Sequence, residues 1–269
     1  MKTVVITGSA RGLGLEMAKV FRKNNVNVVI SDLSMDKLGL AKNELEKIKS
    51  SSSIGMCVCD VTKKDDILSL IEYTKNEFGS IDIWINNAGV NQPEKAIWEL
   101  SFEEIDMVLN VDLKGTIMCS KLVMEEMIKQ HNGAIYNVEG YGSNDAIMLG
   151  LSIYGTSKRA ITYFTEALAK ESEERNTGVI VGKLSPGIMI TDFIVTALGN
   201  KDKINLSEKT KKVYNILGDY PDVVAKFLVE NMLRNTKNNV RIEWLTNGKA
   251  AWRFMTSGFN KRDFFKDVK

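Results

Sequence analysis

The chain has 269 residues, of which 44 % are hydrophobic and 26 % charged, and its net charge is +2 at neutral pH. That much apolar material supports the core of one large domain or two small ones, and so even a charge balance leaves no electrostatic footprint for nucleic acid. Three cysteines are too few for a disulfide framework, and the single histidine, His131, leaves neither a zinc ligand set nor, without a G-x-S-x-G elbow, a serine hydrolase.

KTVVIT, at the start, is short, apolar and β-branched and reads as a strand. No signal peptide precedes it and no apolar run approaches the roughly 18 residues of a membrane span, so a cytoplasmic location is expected. A helix is predicted from Gly14 to about Asn24, then a second strand, VNVVISD. MDKLGLAKNELEKIK is amphipathic and helical, and the serine run 50–53 after it is a loop. In the third strand, IGMCVCDV, Cys57 and Cys59 share one face and are read as reduced core residues. KKDDILSLIEYTKNEFG is a helix stopping at Gly79, and IDIWINNAG is the fourth strand. A long helix follows from Ser101, with Glu104 three residues on as its capping-box partner. AIYNVE is the fifth strand, SIYGTSKRAITYFTEALAKESEE a second long helix, GVIVGKLSPG the sixth strand and NVRIEWL the seventh.

Strands alternating with helices at this spacing mean βαβ units. The expected fold is α/β, a doubly wound seven-stranded parallel sheet with helices on both faces, in a single domain spanning 1–269. Residues of about 188–218 are polar and follow Pro186–Gly187 at a strand's carboxyl end, where such folds bind ligands; they read as a substrate-covering segment, with an inert excursion as the alternative. The tail of about 248–269 alternates Trp252, Phe254, Phe259, Phe264 and Phe265 with Lys249, Arg253, Lys261, Arg262 and Lys266. Packing on the domain or a sister subunit is expected over membrane contact, because turns at Gly248 and Gly258 leave no long amphipathic helix evident.

TGSARGLG, residues 7–14, follows a strand and opens a helix. Its glycines let backbone approach a pyrophosphate, and the helix N-terminus offers donors. The spacing of Gly8, Gly12 and Gly14 resembles the TGxxxGxG signature of the short-chain dehydrogenase/reductase family. Further motifs of that family appear in order: Asn86–Asn87–Ala88–Gly89, Asp60–Val61, Asn110, Tyr154-x-x-x-Lys158 and SPGIMIT at 185–191. The resemblance covers the chain to about residue 247 and implies a Rossmann-type fold, a nicotinamide dinucleotide, a small carbonyl or alcohol substrate and a homodimer or homotetramer. It assigns the cofactor to Gly8, Ser9, Arg11, Gly12, Leu13 and Gly14, to Asp32, Leu33, Asp60 and Val61, to Asn87, Ala88 and Gly89, to Tyr154 and Lys158, and to Pro186, Gly187, Met189 and Thr191. Asp32, eighteen residues past Gly14, can bond ribose hydroxyls and would repel a 2′-phosphate, which favours NAD(H). Arg11 stands where related NADP(H) enzymes often carry a basic residue, so NADP(H) stays open.

Tyr154 and Lys158, four apart, share a helix face. A phenol of pKa about 10 is a poor base at neutral pH, and bringing it to about 7 needs roughly 4 kcal/mol of differential stabilisation from the lysine and the cofactor's positive ring together. The resemblance makes Tyr154 the general acid/base and Lys158 a holder of the nicotinamide ribose, with Asn110 ordering a water. The family's usual serine is displaced: counting back 13 from Tyr154 gives Tyr141, and aligning from the strand gives Gly140. The loop EGYGS and the run YGTSKR resemble the chlorophyll b reductases within the family, and in that reading Ser143 takes the serine's place, with Tyr141 or no side chain as the alternatives. The expected function is an NAD(P)-dependent oxidoreductase interconverting a carbonyl and an alcohol through Asn110, Ser143, Tyr154 and Lys158, without a metal. A non-catalytic nicotinamide-binding sensor or scaffold is the alternative.

Overall fold

Every residue of the first strand, β1 (Thr3–Thr7), is buried, because it runs through the middle of a sheet covered on both faces. The computed structural model describes residues 1–189, 208–259 and 262–265. The other strands are β2 (Asn27–Asp32), β3 (Ile54–Val58), β4 (Ile83–Asn86), β5 (Gly133–Val138), β6 (Val179–Ser185) and β7 (Arg241–Glu243). They pair in parallel in the order β3-β2-β1-β4-β5-β6-β7, which is the seven-stranded, doubly wound, Rossmann-type sheet expected from the sequence. The order reverses between β1 and β4, and such a reversal opens a crevice at the strands' carboxyl ends.

The helices of the described residues are α1 (Gly12–Lys23), α2 (Met35–Glu46), α3 (Lys64–Phe78), α4 (Phe102–Val108), α5 (Thr116–Gln130), α6 (Ser152–Glu174), α7 (Glu208–Leu217), α8 (Pro221–Arg234) and α9 (Asn247–Thr256). Successive side chains of a strand point to opposite faces. Val4, Ile6, Val28 and Ile30 therefore meet α1, α2 and α8 in one layer, where Phe21, Leu38 and Leu228 are fully buried. Val5, Val29, Trp84 and Val181 meet α3, α5 and α6 in the other, with Ile67 and Val123. Cys59 and Cys119 are buried there as free thiols, and burial raises both, Cys59 to about 12.

The long helix expected after Ser101 is present, with its capping box formed: Ser101 Oγ accepts the N–H of Glu104 at 3.2 Å and the Glu104 carboxylate accepts that of Ser101 at 2.9 Å. Its winding is not uniform, since a π-helical turn, Leu109–Gly115, joins α4 to α5. His131 ends α5 as an exposed, left-handed cap residue.

The tail differs from expectation. Gly248 lies inside the ten-residue helix α9, which begins where Thr246 Oγ1 accepts the N–H of Lys249 at 3.2 Å. A threonine N-cap outweighs one glycine in a first turn. The tail is held on its own domain by Asp219, a buried carboxylate that accepts Trp244 Nε1 at 2.6 Å, Arg253 Nη1 at 2.6 Å and Arg262 Nη1 at 3.2 Å. Phe264 stacks edge-on against Tyr220 and Phe265 against Tyr214 of α7. The backbone of Asp219 also bridges to Met189, so one residue joins β6's exit, α7 and the tail. Of the segment expected to cover substrate, residues 190–207 lie outside the described residues. No helix of the described residues is long and apolar enough to cross a membrane.

Asp219→Ala leaves the Trp244 indole N–H without its acceptor and takes the carboxylate from Arg253 and Arg262, which keep the carbonyls of Leu217 and Gly218. It is expected to cost about 1–3 kcal/mol, after allowance for the partial exposure of both arginines, and to lower the melting temperature by several degrees in calorimetry.

Candidate active site

The crevice is built on glycines that allow backbone to meet backbone. Gly8 takes φ +62° and lies so close to the β4 exit that an added Cβ would stand 2.7 Å from Ala88 Cα. Gly14 is equally confined, 2.7 Å from the Asn87 amide nitrogen on the same construction. Asn87 Nδ2 in turn donates to the carbonyls of Thr7 and Gly8 at 3.0 and 2.8 Å, and Thr7 Oγ1 accepts the N–H groups of Asn87 and Ala88. The turn after β1 and the NNAG segment after β4 are thus one unit. In front of it Gly12, at φ +58°, meets nothing within 4 Å. Arg11, the extended N-cap of α1, gives no side-chain cap, so the helix's first donors face that open space. This cradle fits a dinucleotide's pyrophosphate.

Asp32 stands at the edge of the cradle, its Oδ2 accepting the N–H of Ala10 at 3.3 Å and its Oδ1 that of Leu33 at 2.8 Å, with Leu33 and Arg11 exposed beside it. Burial would raise the Asp60 carboxyl, but hydrogen bonds from Thr62 and the charge of Lys63 hold it below its usual value. Three expected cofactor residues turn their side chains away from the crevice. Ser9 is fully buried, donating to Ile6 O at 2.7 Å and accepting the N–H of Ser31 at 2.9 Å, so it stitches the turn to β2. The Leu13 side chain belongs to the core, as does that of Val61, which packs on Gly115. Only their backbones are left to face a ligand. Pro186 and Gly187 follow β6, Met189 pairs with Asp219, and Thr191 lies outside the described residues.

Tyr154 and Lys158 lie on the first turns of α6, both buried, with the ammonium 5.4 Å from the phenol ring's centroid. Local sequence does not cap this helix, whose N-cap is Leu151. Gln92 does so from the β4 exit: its Oε1 accepts the N–H groups of Ile153 and Tyr154 at 2.9 and 2.8 Å, and its Nε2 donates to Gly150 O. Nothing in the sequence marks a glutamine some sixty positions away as a cap.

The residue brought to Lys158 is Asp112, two positions from the expected Asn110. Asp112 is fully buried in the π-helical turn; its Oδ2 lies 2.9 Å from Lys158 Nζ, and its Oδ1 accepts the N–H of Val90 at 2.7 Å. Residues two apart on a helix point to nearly opposite sides, so the two positions cannot share the role. Gly89 comes close enough that an added Cβ would stand 3.4 Å from the Asp112 carboxylate and 3.6 Å from Lys158 Nζ.

The loop EGYGS is shaped by the same need for closeness. A Cβ at Gly140 would overlap the Tyr154 hydroxyl, so a serine is sterically excluded there in this arrangement. Gly142, at φ +100°, rests on Gly155, where an added Cβ would stand 2.6 Å from Gly155 Cα. Ser143 is buried; its hydroxyl donates to Lys158 O and accepts the N–H of Gly140, both at 3.3 Å. It staples the loop to α6, and the oxygen-donor role expected of it is not what its bonds display. The Tyr141 hydroxyl reaches Ile147 O at 3.5 Å and is also directed elsewhere. Glu139, buried, is held by Thr162 Oγ1 at 2.9 Å and Arg241 Nε at 2.7 Å.

Electrostatically, burial pushes the Tyr154 phenol up, Lys158 pulls it down, and Asp112 and Tyr214 push it up again; the net direction is upward. Burial alone would lower Lys158, but Asp112 and Tyr154 outweigh it and leave the ammonium raised. The site therefore holds a protonated phenol beside a paired lysine, at the mouth of a dinucleotide-shaped cradle. Such a set can deliver a proton to an oxygen placed against Tyr154. Among the described residues no cluster of three or more acidic, histidine or cysteine side chains could hold a metal.

Residues 2–201 match the profile of the short chain dehydrogenase family. Over 99 % of its length the chain is 30 % identical to a protein of Arabidopsis thaliana named "Probable chlorophyll(ide) b reductase NYC1, chloroplastic", of which it spans 55 %, about half. It is 32 % identical over 94 % of its length to "Chlorophyll(ide) b reductase NOL, chloroplastic" of Oryza sativa subsp. japonica, spanning 74 % of that protein. A solved short chain dehydrogenase of Bacillus anthracis matches with a TM-score of 0.75 at 28 % identity, over 92 % of this chain and 96 % of that one. A short-chain type dehydrogenase/reductase of Mycobacterium marinum, at 20 % identity and a TM-score of 0.80 over 92 % and 95 % of the two chains, shares the fold.

Gly142→Ala forces a left-handed φ on a residue with a Cβ and drives it into Gly155. It is expected to cost about 1–3 kcal/mol. Gly39→Ala, in the open middle of α2, is the matched control and is expected to add about 0.5–1 kcal/mol; denaturant titration of both variants checks the contrast.

Proposed function

The chain belongs to the short-chain dehydrogenase family, and on that premise we propose that it is an NAD(P)-dependent oxidoreductase that reduces a carbonyl group of a small molecule, with Tyr154 as the proton donor. The observation that carries this reading is the buried pairing of Tyr154 with Lys158 at the mouth of the glycine cradle. The nicotinamide, when bound, supplies the hydride. Gly8, Gly12 and Gly14 would receive the pyrophosphate, Asp32 the adenosine ribose, and Lys158 the nicotinamide ribose. As hydride reaches the carbonyl carbon, the Tyr154 O–H gives its proton to the oxygen, and the Lys158 ammonium steadies the phenolate left behind until solvent reprotonates it. Gly140 lets the Tyr154 hydroxyl stand where a side chain would otherwise intrude, and Gln92 fixes the turn that carries it.

We favour NAD(H), because a carboxylate at position 32, already bonded to the Ala10 N–H, would face a 2′-phosphate at close range. The relatives' names state reduction of a chlorophyll(ide), which supports the reductive direction; the residues described here give no reason to carry over the pigment. The free thiols fit a reducing compartment such as the cytoplasm, and a homodimer or homotetramer follows from the family resemblance.

Tyr154→Phe is expected to lower kcat for carbonyl reduction by about 10²-fold or more, with NADH affinity by fluorescence titration nearly unchanged. Retained turnover would sink the assignment of Tyr154 as proton donor, and a wild type that turns over no carbonyl with NADH or NADPH would restore the binding-only alternative. The wild type is expected to use NADH over NADPH by about 10-fold or more in kcat/KM, and Asp32→Asn to narrow that ratio. An equal ratio in the wild type would reverse the cofactor assignment.

A further inference from the structure

The helical run from α4 to α5 departs from regular winding once, at the π turn, and that turn carries a buried acid. A buried carboxylate is costly unless it is paired and hydrogen-bonded. Asp112 is both: Oδ1 takes the Val90 N–H at 2.7 Å, and Oδ2 sits 2.9 Å from Lys158 Nζ. That same ammonium rests 5.4 Å from the centroid of the Tyr154 ring. The cation facing the phenol is therefore one half of a pair with no net charge.

We propose that Asp112 is a positioning residue that neutralises Lys158, keeps Tyr154 a proton-bearing phenol, and so suits the centre to carbonyl reduction over a wide pH range. The inference rests on the oxidoreductase reading above and adds the direction for which the centre is tuned. An enzyme does not move the equilibrium between carbonyl and alcohol; it sets the pH at which each direction finds its reactive form. Reduction needs the phenol, and oxidation needs the phenolate.

The groups of the described residues that act on the hydroxyl come from several elements. Lys158 comes from α6 itself, Asp112 from the π turn and Tyr214 from α7, and Glu94, in the segment after β4, acts on Tyr214. The EGYGS loop brings the Gly140 backbone. Lys158 alone favours the phenolate, while burial, Asp112 and Tyr214 oppose it. Asparagine at position 112 keeps an acceptor for the Val90 N–H and removes the negative charge. Lys158 then acts on the phenol with only burial and Tyr214 against it, and the phenol's pKa falls.

Tyrosinate absorbance of the full chain tests this without cofactor or substrate. The chain has 7 tyrosines, and subtracting the titration of Tyr154→Phe isolates the one in question. Asp112→Asn, measured against Asp112→Asn/Tyr154→Phe, is expected to lower the midpoint by about one pH unit or more. The alkaline limb of NADH-dependent carbonyl reduction is expected to move the same way. An unchanged midpoint in a variant that melts like the wild type overturns the proposal. Should Asp112→Asn not fold, the wild-type difference titration decides: a Tyr154 midpoint below the ordinary phenol value of about 10 overturns it, and one above supports it. A shifted midpoint in a protein that turns over no carbonyl with NADH or NADPH would uphold the electrostatic claim and overturn the oxidoreductase reading.

Discussion

The contact between Gly142 and Gly155 governs the candidate centre. Two backbones meet there with no side chain between them, and this fixes how the loop after β5 lies on α6. With the loop so placed, the Gly140 backbone comes against the Tyr154 hydroxyl, Ser143 reaches the carbonyl of Lys158, and Arg159 Nη1 reaches that of Ser143 at 3.0 Å. The loop is therefore specified by absence of bulk at Gly140 and Gly142 and by short polar ties at Ser143 and Arg159. A buried polar layer continues behind it. Asn86 Nδ2 donates to Asn137 Oδ1 at 2.7 Å, Asn137 Nδ2 to Thr165 Oγ1 at 2.9 Å, and Glu139 holds Arg241 of β7. Such networks are costly when half satisfied and rigid when complete, and these members are bonded.

Much of this was legible in the chain because the relevant signals are local. β-branched runs such as TVVIT and NVVIS have the composition of strands buried on both faces, and the glycine turn, NNAG and the Tyr154/Lys158 spacing each sit within a few residues. What the sequence did not show is non-local or depends on phase. Gln92 caps a helix from the far side of an intervening helix pair, and no rule of spacing connects it to Ile153. Asn110 and Asp112 are two residues apart, and only the winding of the π turn decides which of them faces Lys158. Ser143 was visible as a hydroxyl near the right place, but where that hydroxyl points depends on the loop's fold over α6. Gly248 read as a turn because the Thr246 cap that starts α9 was not weighed against it.

The two ends of the centre are coupled through charge as well as shape. Gly89 carries the chain from the dinucleotide cradle past Asp112 and Lys158 at van der Waals range, so the strip that would line the cofactor also abuts the ion pair. On the opposite side α7 presents Tyr214, whose ring meets Phe265 of the tail. Tyr214 thus stands between the tail, through its contact with Phe265, and Tyr154.

The glycine at position 140 also limits which substitutions this centre can accept. A serine introduced there by one codon change would collide with the Tyr154 hydroxyl while the loop still lay on Gly155. Enlarging residue 142 would in turn drive its side chain into the Gly155 backbone and lift the loop. A side chain at position 140 and the loop lying on Gly155 thus exclude one another around the Tyr154 hydroxyl.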